Sequence, residues 1–267
     1  MKKLVIAMTA VLMAFSILSC SKKEEKGEFT VAAGKLKVAA EVGYPPFEYY
    51  AEDGTTPIGF DMTLAKELGK RLGLEVEIID TAWDGIFAGL DTDRYDAVIS
   101  AATITPERLE NYYFSKPYIG NGQAIILQKD SELKVSQPSD LTNLLVGYQA
   151  ETTSDYFIEK EIAAGLKCQV GEYDKVMNAY DDLRLGRVDA VCSDYLVAVS
   201  YLGTPDTKFK CAWQGKADEY FGVCVKKGND LLLSKINQAL DEIVADGTMK
   251  KIYMDVFGVD LSDTIAE

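Results

Sequence analysis

The pentapeptide Arg94-Tyr95-Asp96-Ala97-Val98 recurs further along the chain as Arg187-Val188-Asp189-Ala190-Val191. Each copy follows a helical pattern and opens a short apolar strand, so the repeat indicates two similar lobes. From Leu36 onward, short apolar strands alternate with helical patterns, which is typical of an α/β fold with mainly parallel sheets. We therefore expect an α/β protein of two lobes, each built around its own sheet.

The expected strands are apolar runs separated by turn residues: 37–40, 76–79, 97–99, 144–147, 167–170 and 190–192. Helical patterns cover 61–72, 154–164, 173–185 and 230–244. The clearest of them, 61–72, carries Leu64, Leu68 and Leu72 on one stripe, with Asp61 as the expected N-cap and Gly73 as the stop.

Two further extended runs suggest where the chain crosses between the lobes. Gly120-Asn121-Gly122 precedes the run 123–129, and a second run covers 219–225. A chain that leaves lobe one, builds lobe two and returns needs two crossing strands at about these places. We therefore expect a hinge of two strands. The expected boundaries are 36–122 with 216–258 for lobe one, 123–215 for lobe two and 259–267 for a C-terminal tail.

The N-terminal segment has the pattern of an export signal. Lys2 and Lys3 precede an apolar run, 4–18, that is short for a membrane span and lies where a secretory signal belongs. The run ends in Ile17-Leu18-Ser19-Cys20, which resembles a bacterial lipobox. We expect a signal peptide over 1–19, lipidation of Cys20 and a flexible tether over 20–35. The protein is then exported and anchored to the cell envelope, on the periplasmic side or at the cell surface.

Composition excludes several functions. The 267 residues contain 28 Lys+Arg against 42 Asp+Glu, a formal charge of -14, so the basic surface that binds nucleic acid is missing. The chain has no histidine, which excludes Ser-His-Asp and Cys-His triads and His-ligated metal sites. No metal cluster or phosphate-binding loop is evident, so we expect no cofactor. The cysteines that follow Cys20 lie in strand-like runs, where buried free thiols are preferred over any of the possible disulfide pairings: Cys168, Cys192, Cys211 and Cys224.

Polar and aromatic side chains follow the carboxyl ends of the expected strands, where open α/β sheets bind ligands. They are Glu41, Tyr44, Trp83, Asp84, Ser100, Ala101, Thr103, Arg108, Gln149, Thr152, Thr153 and Asp194. A guanidinium can grip a ligand carboxylate with two parallel hydrogen bonds, and a carboxylate can hold an ammonium. Arg108 and Asp194 on opposite lobes would thus bind a free α-amino acid and close the cleft around it. Simpler roles stay open, since Arg108 could be a surface residue and Asp194 a helix N-cap, while the hydroxyl residues could cap turns.

Several motifs resemble the polar amino-acid family of bacterial extracellular solute-binding proteins. They are Tyr44-Pro45-Pro46-Phe47-Glu48, Gly59-Phe60-Asp61-Met62, the stretch from Asp96-Ala97-Val98-Ile99-Ser100 to Thr103-Ile104-Thr105-Pro106-Glu107-Arg108, and Phe114-Ser115-Lys116-Pro117-Tyr118. The resemblance covers nearly everything from Leu36 to Val256. It implies a two-lobed Venus-flytrap fold, in many members a single lipidated cysteine, and delivery of the ligand to the membrane subunits of an ABC importer.

The resemblance also implies roles for individual residues. Arg108 is similar to the family's carboxylate-binding arginine, with Thr103 and Thr153 around the same carboxylate. Asp194 is similar to the aspartate that takes the ammonium, assisted by the carbonyl of Ala101. The remaining positions resemble an aromatic pair around the ligand side chain, Tyr44 and Trp83, and contacts to its far end, Glu41 and Ser100. The sequence departs from the family pattern at Glu151, where many relatives have Gly, and at Ala101, which is often Ser.

The choice of amino acid depends on Glu41. A carboxylate there, with the aromatic faces of Tyr44 and Trp83, favours arginine, lysine or ornithine. Glutamine, histidine and cystine stay open, because Glu41 could also accept a neutral hydrogen bond. Two other classes are alternatives: a periplasmic dehydratase that uses Glu41, Asp84 and Asp194, or a ligand-sensing module. We expect a monomeric binding protein without enzymatic activity.

Overall fold

The structure, a computed structural model, describes residues 27–265 of the chain. The expected signal peptide, Cys20 and the first part of the tether lie outside the described residues. Two five-stranded sheets organise the rest, and we call the parts built on them lobe one and lobe two. None of the helices in residues 27–265 combines the length and the apolar character that a membrane span requires.

Lobe one contains a sheet in the order β4-β1-β5-β14-β6 and a small hairpin of β2 and β3. Its strands are β1 (Lys35–Ala40), β2 (Tyr49–Tyr50), β3 (Pro57–Ile58), β4 (Glu75–Asp80), β5 (Ala97–Val98), β6 (Tyr112–Phe114) and β14 (Cys224–Lys226). β1 pairs in parallel with β4 and β5, whereas β14 pairs antiparallel with β5 and β6. β14 runs in this direction because the chain enters it on the way back from lobe two.

Lobe two repeats this arrangement with the order β10-β9-β11-β8-β12. Its strands are β8 (Gln123–Gln128), β9 (Leu145–Gln149), β10 (Gln169–Tyr173), β11 (Ala190–Asp194) and β12 (Phe209–Gln214). β9 is parallel to β10 and β11, while β8 is antiparallel to β11 and β12. The expected two-lobed α/β fold is therefore confirmed, but both sheets are mixed rather than mainly parallel, because in each lobe a strand adjoining the hinge enters from the opposite end.

The helices lie between these strands, and most pack on the sheets. They are α1 (Phe60–Leu72), α2 (Ala88–Asp91), α3 (Pro106–Asn111), α4 (Thr153–Ala163), α5 (Val176–Arg184), α6 (Tyr195–Leu202), α7 (Asp230–Ala245) and α8 (Thr248–Phe257). Short 3-10 turns cover Pro138–Leu141 and Ser262–Thr264. Phe60, fully buried, stacks on Tyr253 with ring centroids 5.5 Å apart, as expected for a residue with a structural role.

The first hinge strand lies slightly earlier in the chain than expected, whereas the second lies within the expected run 219–225. β7 (Ile119–Asn121) pairs antiparallel with β13 (Glu219–Phe221) in a separate two-stranded sheet between the lobes. The run after Gly122, which was expected to cross, instead forms β8 of lobe two. We retain 123–215 as the proposed extent of lobe two, because β8 begins at Gln123 and β12 ends at Gln214.

The N-terminal tether is shorter than expected. Phe29 packs against the core of lobe one, and Thr30 and Ala32 are buried. The amides of Val31 and Lys37 both donate to the Asp96 carboxylate, at 2.6 and 2.7 Å. The apolar residues of 29–33 thus join the fold, and only the segment before them can serve as a tether. The expected tail also packs on the hinge, where the Gly120 amide donates to Thr264 Oγ1 at 2.9 Å.

The starts of α1 and α5 differ from the sequence expectation. α1 begins at Phe60 with Gly59 as N-cap, because the amides of Phe60 and Asp61 donate to the carbonyls of Pro46 and Phe47. Asp61 is therefore not the N-cap, and its carboxylate is available for other partners. Tyr173 ends β10 instead of starting a helix, and Asp84 lies in an exposed turn ahead of α2.

The described cysteines form no disulfide. Cys192 and Cys224 are buried, as expected. Cys211 is exposed and Cys168 is half-buried, so the expectation of burial was wrong for these two. Both lie near the outer strands of the lobe-two sheet, β12 and β10, where side chains reach the surface.

Candidate functional site

A cavity lies between the lobes and is lined by residues of both. It brings together all of the ligand residues expected from the sequence except Asp84, and it adds Glu48: the lining is Glu41, Tyr44, Glu48, Trp83, Ser100, Ala101, Thr103, Arg108, Gln149, Thr152, Thr153 and Asp194. Strand ends from both sheets supply these side chains, as the rule for open α/β sheets predicts. Asp84 is exposed and does not line the cavity.

Arg108 supplies a positive charge at one end of the cavity. It lies in α3, whose N-cap is the Thr105 hydroxyl, and its Nη1 donates to the carbonyl of Thr103 at 2.9 Å. Its guanidinium carbon lies 5.2 Å from the Trp83 ring centroid and 5.0 Å from that of Phe87. The residue is half-buried, and burial lowers the pKa of the guanidinium, which nevertheless stays charged. No carboxylate in residues 27–265 forms an ion pair with it, so the guanidinium can accept an anionic ligand group.

The N-terminus of α4 borders the same cavity. Thr152 is the N-cap, as one of the simpler roles anticipated: its hydroxyl accepts from the Asp155 amide at 3.4 Å and donates to the Gln149 carbonyl at 2.7 Å. Thr153 is the first helical residue, and its hydroxyl accepts from Gln123 Nε2 at 3.2 Å. The first amides of a helix have no partner within the helix and favour anions. Arg108 and this helix start can therefore hold one carboxylate together.

Glu151, where many relatives have Gly, has a backbone conformation that favours glycine. It precedes Thr152 with φ +60°, a left-handed conformation that glycine adopts without strain. Its carbonyl accepts from Trp83 Nε1 at 3.0 Å, which is a hydrogen bond between the lobes. The loop thus keeps the backbone shape of a glycine-containing loop although a glutamate occupies the position.

Asp194 is a buried carboxyl group in the wall of the cavity. It ends β11 and precedes α6, but its side chain does not cap that helix. Instead its carboxylate accepts from Tyr44 OH at 2.6 Å, Asn121 Nδ2 at 2.8 Å and Gln123 Nε2 at 3.1 Å. Burial, with the nearby charge of Glu219, raises the pKa of Asp194 to about 7, although these hydrogen bonds oppose the shift.

Glu41 lies 3% exposed among the cavity-lining residues. Its Oε2 accepts from Gln149 Nε2 of lobe two at 2.7 Å, whereas no described residue donates a hydrogen bond to its buried Oε1. Burial raises the pKa of Glu41 to about 7, against the lowering effects of the Gln149 hydrogen bond and the charge of Lys175. A buried carboxylate oxygen without a donor is costly unless a ligand supplies one.

Tyr44 and Trp83 are both buried aromatic residues of the cavity wall, with 7% and 9% of their surface exposed. The Tyr44 hydroxyl reaches across the cleft to Asp194, so this ring is held by lobe two as well as lobe one. Trp83 lies close to the Arg108 guanidinium, so part of its ring already takes part in a cation-π contact within the protein.

The Ser100–Ala101 turn forms the base of the cavity. Ser100 Oγ donates to Glu48 Oε1 at 2.7 Å and accepts from the Glu41 amide at 3.0 Å. Ala101 has φ +44°, and its amide donates to Asp61 Oδ2 at 2.6 Å. The turn therefore depends on two buried carboxyl groups that sequence reasoning did not assign to the site.

Other residues that the sequence did not reveal lie on the hinge and the first strand of lobe two. Glu219 on β13 accepts from Gln123 Nε2 at 2.8 Å and from Thr103 Oγ1 at 3.3 Å. Asn121 on β7 and Gln123 on β8 both donate to Asp194. A signal was available for Asn121 and Gln123, since both border the expected crossing segment, but the sequence alone does not place a hinge side chain beside the cleft.

Comparison with known proteins agrees with this geometry. The model of the bacterial extracellular solute-binding proteins, family 3, matches residues 36–259. The chain is 33% identical over 229 residues to the L-cystine-binding protein TcyJ of Escherichia coli (strain K12), covering 86% of this chain and 85% of that protein. It is 34% identical over 257 residues to the ABC transporter arginine-binding protein 1 of the same strain, covering 94% and 97%.

A solved structure with a similar fold is that of an ancestral arginine-binding protein bound to arginine. It has a TM-score of 0.80 and 39% sequence identity, and the match covers 84% of this chain and 99% of that one. Because the family model spans nearly all of the described residues and relatives above 30% identity cover most of the sequence, the chain belongs to family 3 of the bacterial extracellular solute-binding proteins.

Proposed function

We propose that the protein binds a free basic L-amino acid (arginine, lysine or ornithine) between its lobes and delivers it to an ABC importer. The coarser part of this function, an amino-acid-binding protein of an ABC transporter, is supported by the family and by the cystine-binding and arginine-binding relatives. The finer part, the preference for a cation, depends on the residues around Glu41.

The α-carboxylate and the α-ammonium of the ligand carry opposite charges, and the cleft offers a partner of opposite charge for each. Arg108 and the start of α4 would hold the carboxylate with charge-assisted hydrogen bonds. Asp194 would hold the ammonium, and Tyr44 would then share that carboxylate with the ligand. Since Arg108 comes from lobe one and Asp194 from lobe two, a ligand that contacts both stabilises the closed arrangement.

The observation that carries the basic preference is the buried Glu41 Oε1, which accepts no hydrogen bond from the described residues. A ligand side chain with a guanidinium or ammonium would supply both the missing donor and the missing charge. The negative charges of Asp80 and Asp174 raise the pKa of Glu41 further. The same two charges attract a cation to this end of the cavity. A neutral amide would supply the donor only.

Cystine is the second candidate, and Lys175 is the observation that favours it. Lys175 Nζ donates to the Val42 carbonyl at 3.2 Å across the cleft, and its charge lowers the pKa of Glu41. Glu41 of the cavity wall and the nearby Lys175, which does not line the cavity itself, thus carry both signs of charge. The second amino-acid head group of cystine carries both signs as well, whereas arginine and lysine carry only the positive one.

Export and anchoring belong to the proposal as well. The signal pattern over 1–19 and the lipobox-like Ile17-Leu18-Ser19-Cys20 support an exported lipoprotein held by Cys20 at the cell envelope. We also propose that it acts as a monomer. Binding without turnover is also proposed. The dehydratase alternative needed three carboxyl groups in the cleft, and Asp84 lies outside the cavity lining.

Calorimetric titration of the purified protein with the twenty amino acids, ornithine and cystine tests the ligand assignment. The proposal expects arginine or lysine to bind more tightly than glutamine. The Glu41→Gln variant should lose that preference while keeping glutamine affinity. Glu52→Gln, a change at an exposed residue outside the cavity lining, should alter neither. A neutral or acidic amino acid that binds most tightly would contradict the proposal. Cystine as the tightest ligand would replace it with the second candidate.

A further inference from the structure

Two fully buried carboxyl groups, Glu48 and Asp61, hold neighbouring residues of one turn, and Glu48 also lines the cavity. Glu48 accepts from the Ser100 hydroxyl, and Asp61 accepts from the Ala101 amide. One oxygen on each, Glu48 Oε2 and Asp61 Oδ1, receives no hydrogen bond from any donor group in residues 27–265. Two negative charges buried at one turn without a cation are unfavourable, and a proton on one carboxyl removes one charge and provides a donor for the other.

The surrounding donors indicate which residue carries the proton. Asp61 Oδ2 accepts from the Ala101 amide at 2.6 Å and from Tyr118 OH at 3.0 Å. Both bonds favour the ionised form of Asp61. Among residues 27–265, the one group that donates to Glu48 is the Ser100 hydroxyl, at 2.7 Å. Burial raises the pKa of both groups, and the charge of Asp61 raises the pKa of Glu48 further.

The other titratable groups near Glu48 do not stabilise its ionised form. Glu41 on the far side of Ser100 is a carboxyl whose charge raises the pKa of Glu48. Tyr44 and Tyr118 are neutral phenols whose own pKa is raised well above the usual value by burial. No cation appears among the main influences on Glu48. The neutral acid is therefore the stable form of Glu48 in this environment.

The pair holds the turn that forms the base of the cavity. Asp61 fixes the Ala101 amide, which lets Ala101 adopt φ +44°, a conformation that is uncommon for a residue other than glycine. Glu48 fixes the Ser100 hydroxyl, which in turn accepts from the Glu41 amide. Together the two carboxyl groups hold the backbone at Glu41 and at Ala101, and both of these residues line the ligand cavity.

We propose that Glu48 and Asp61 are positioning residues that share one proton and thereby hold the Ser100–Ala101 turn in the shape that accepts a ligand. When the two groups share one proton, the fully buried pair carries one negative charge instead of two. That the turn contacts an amino acid rests on the proposed function, whereas the protonation of the pair does not.

Infrared spectroscopy of the ligand-free protein tests the protonation directly. The carbonyl stretch of a protonated carboxylic acid is separate from that of a carboxylate. At pH 9, where Glu41 and Asp194, with pKa values of about 7, are ionised, the wild-type protein should retain one such band. Glu48→Gln should remove it, and Asp61→Asn should remove it as well, because the Asn amide can donate to an ionised Glu48. Glu52→Gln should retain it.

Arginine binding provides the functional readout. Gln at position 48 can accept from Ser100 and donate to Asp61, so Glu48→Gln should keep the wild-type affinity within about threefold. Glu48→Ala offers neither bond, and it should weaken binding at least about tenfold. Absence of the band in the wild type at pH 9, or its persistence in both Glu48→Gln and Asp61→Asn, would overturn the proposal. Equal losses of affinity in Glu48→Gln and Glu48→Ala would overturn it too, since the carboxyl charge would then matter instead of its hydrogen bonds.

The two proposals can fail separately. If no amino acid binds, the infrared bands of the ligand-free variants still decide whether the pair shares a proton. If Glu48→Gln does not fold, the loss or persistence of the band in Asp61→Asn decides the same question.

Discussion

The protonation of Glu41 should make the selectivity of the protein depend on pH. In the ligand-free cleft the pKa of Glu41 is about 7, because the carboxyl group is buried. Roughly nine-tenths of the group is then ionised at pH 8 and roughly one-tenth at pH 6. Arginine needs the ionised form, whereas glutamine can hydrogen-bond to either form. The ratio of arginine to glutamine affinity should therefore fall about tenfold between pH 8 and pH 6, which corresponds to about 1.4 kcal/mol.

The ratio is more informative than either affinity alone. Asp194 also has a pKa of about 7, and its protonation weakens the binding of every α-ammonium. That effect acts equally on arginine and glutamine, so it cancels in the ratio. Calorimetric titrations of both amino acids at pH 6, 7 and 8 in buffers of equal ionic strength provide the measurement. The Glu41→Gln variant is the control, and its ratio should not change with pH.

Two results would contradict a contact between Glu41 and the ligand cation. A ratio that stays constant from pH 6 to pH 8 in the wild type would show that Glu41 does not contact the ligand cation. A pH-dependent ratio that persists in Glu41→Gln would assign the effect to another group in the cleft.

Other predictions concern the charge pair, the stability of the ligand-free protein and the hinge. Arg108→Ala and Asp194→Ala should each weaken amino-acid binding by about 2 kcal/mol or more, because a ligand charge loses its partner; near-native affinity by calorimetry in either variant would remove that residue from the site. The folded pKa values of Glu41 and Asp194, about 7, lie above those of unfolded chains, so the ligand-free folded state binds more protons than the unfolded state. Its melting temperature should therefore fall as pH rises from 5 to 8, and less so with saturating arginine; a rise over this range would contradict the assignment. Gly120→Ala would place a methyl group 2.3 Å from a backbone carbonyl of the C-terminal 3-10 turn, so it should lower the melting temperature more than Gly171→Ala, where the nearest atom is 3.4 Å away. Equal effects in a thermal melt would count against a packed C-terminal turn on the hinge.

Much of the fold could be predicted from short-range patterns. The repeat around Asp96 and Asp189 marks the same position in both lobes: each aspartate is followed by the central parallel strand of its sheet. Each carboxylate also accepts backbone amides, from Val31 and Lys37 in lobe one and from Leu145 in lobe two. The pattern therefore reflects a shared structural role as well as shared chain order.

Strand direction could not be predicted in the same way. Apolar runs are similar in parallel and antiparallel strands, so the sequence does not show that β8 and β14 enter their sheets from the hinge. The start of α1 was also hidden, because its first amides donate to Pro46 and Phe47 carbonyls that lie earlier in the chain. A local reading assigns the cap to the nearest aspartate, Asp61, whose carboxylate instead accepts from the Ala101 amide.

The candidate site was predictable where residues follow strand ends and where the family resemblance adds roles. Glu48 was part of a quoted motif but had no assigned role, since its burial beside Asp61 depends on the packing of α1 against the hairpin and the turn at Ser100. Glu219 was missed because the antiparallel pairing of the hinge strands brings it to the cleft. Such contacts join residues far apart in sequence, and no local pattern records them.

A crystal structure of the protein with bound arginine would show the proposed ligand contacts directly. We expect the α-carboxylate on Arg108 and the start of α4, the α-ammonium on Asp194 and the guanidinium within hydrogen-bonding distance of Glu41 Oε1. A guanidinium directed away from Glu41, or a head group that does not bridge Arg108 and Asp194, would contradict the proposed function.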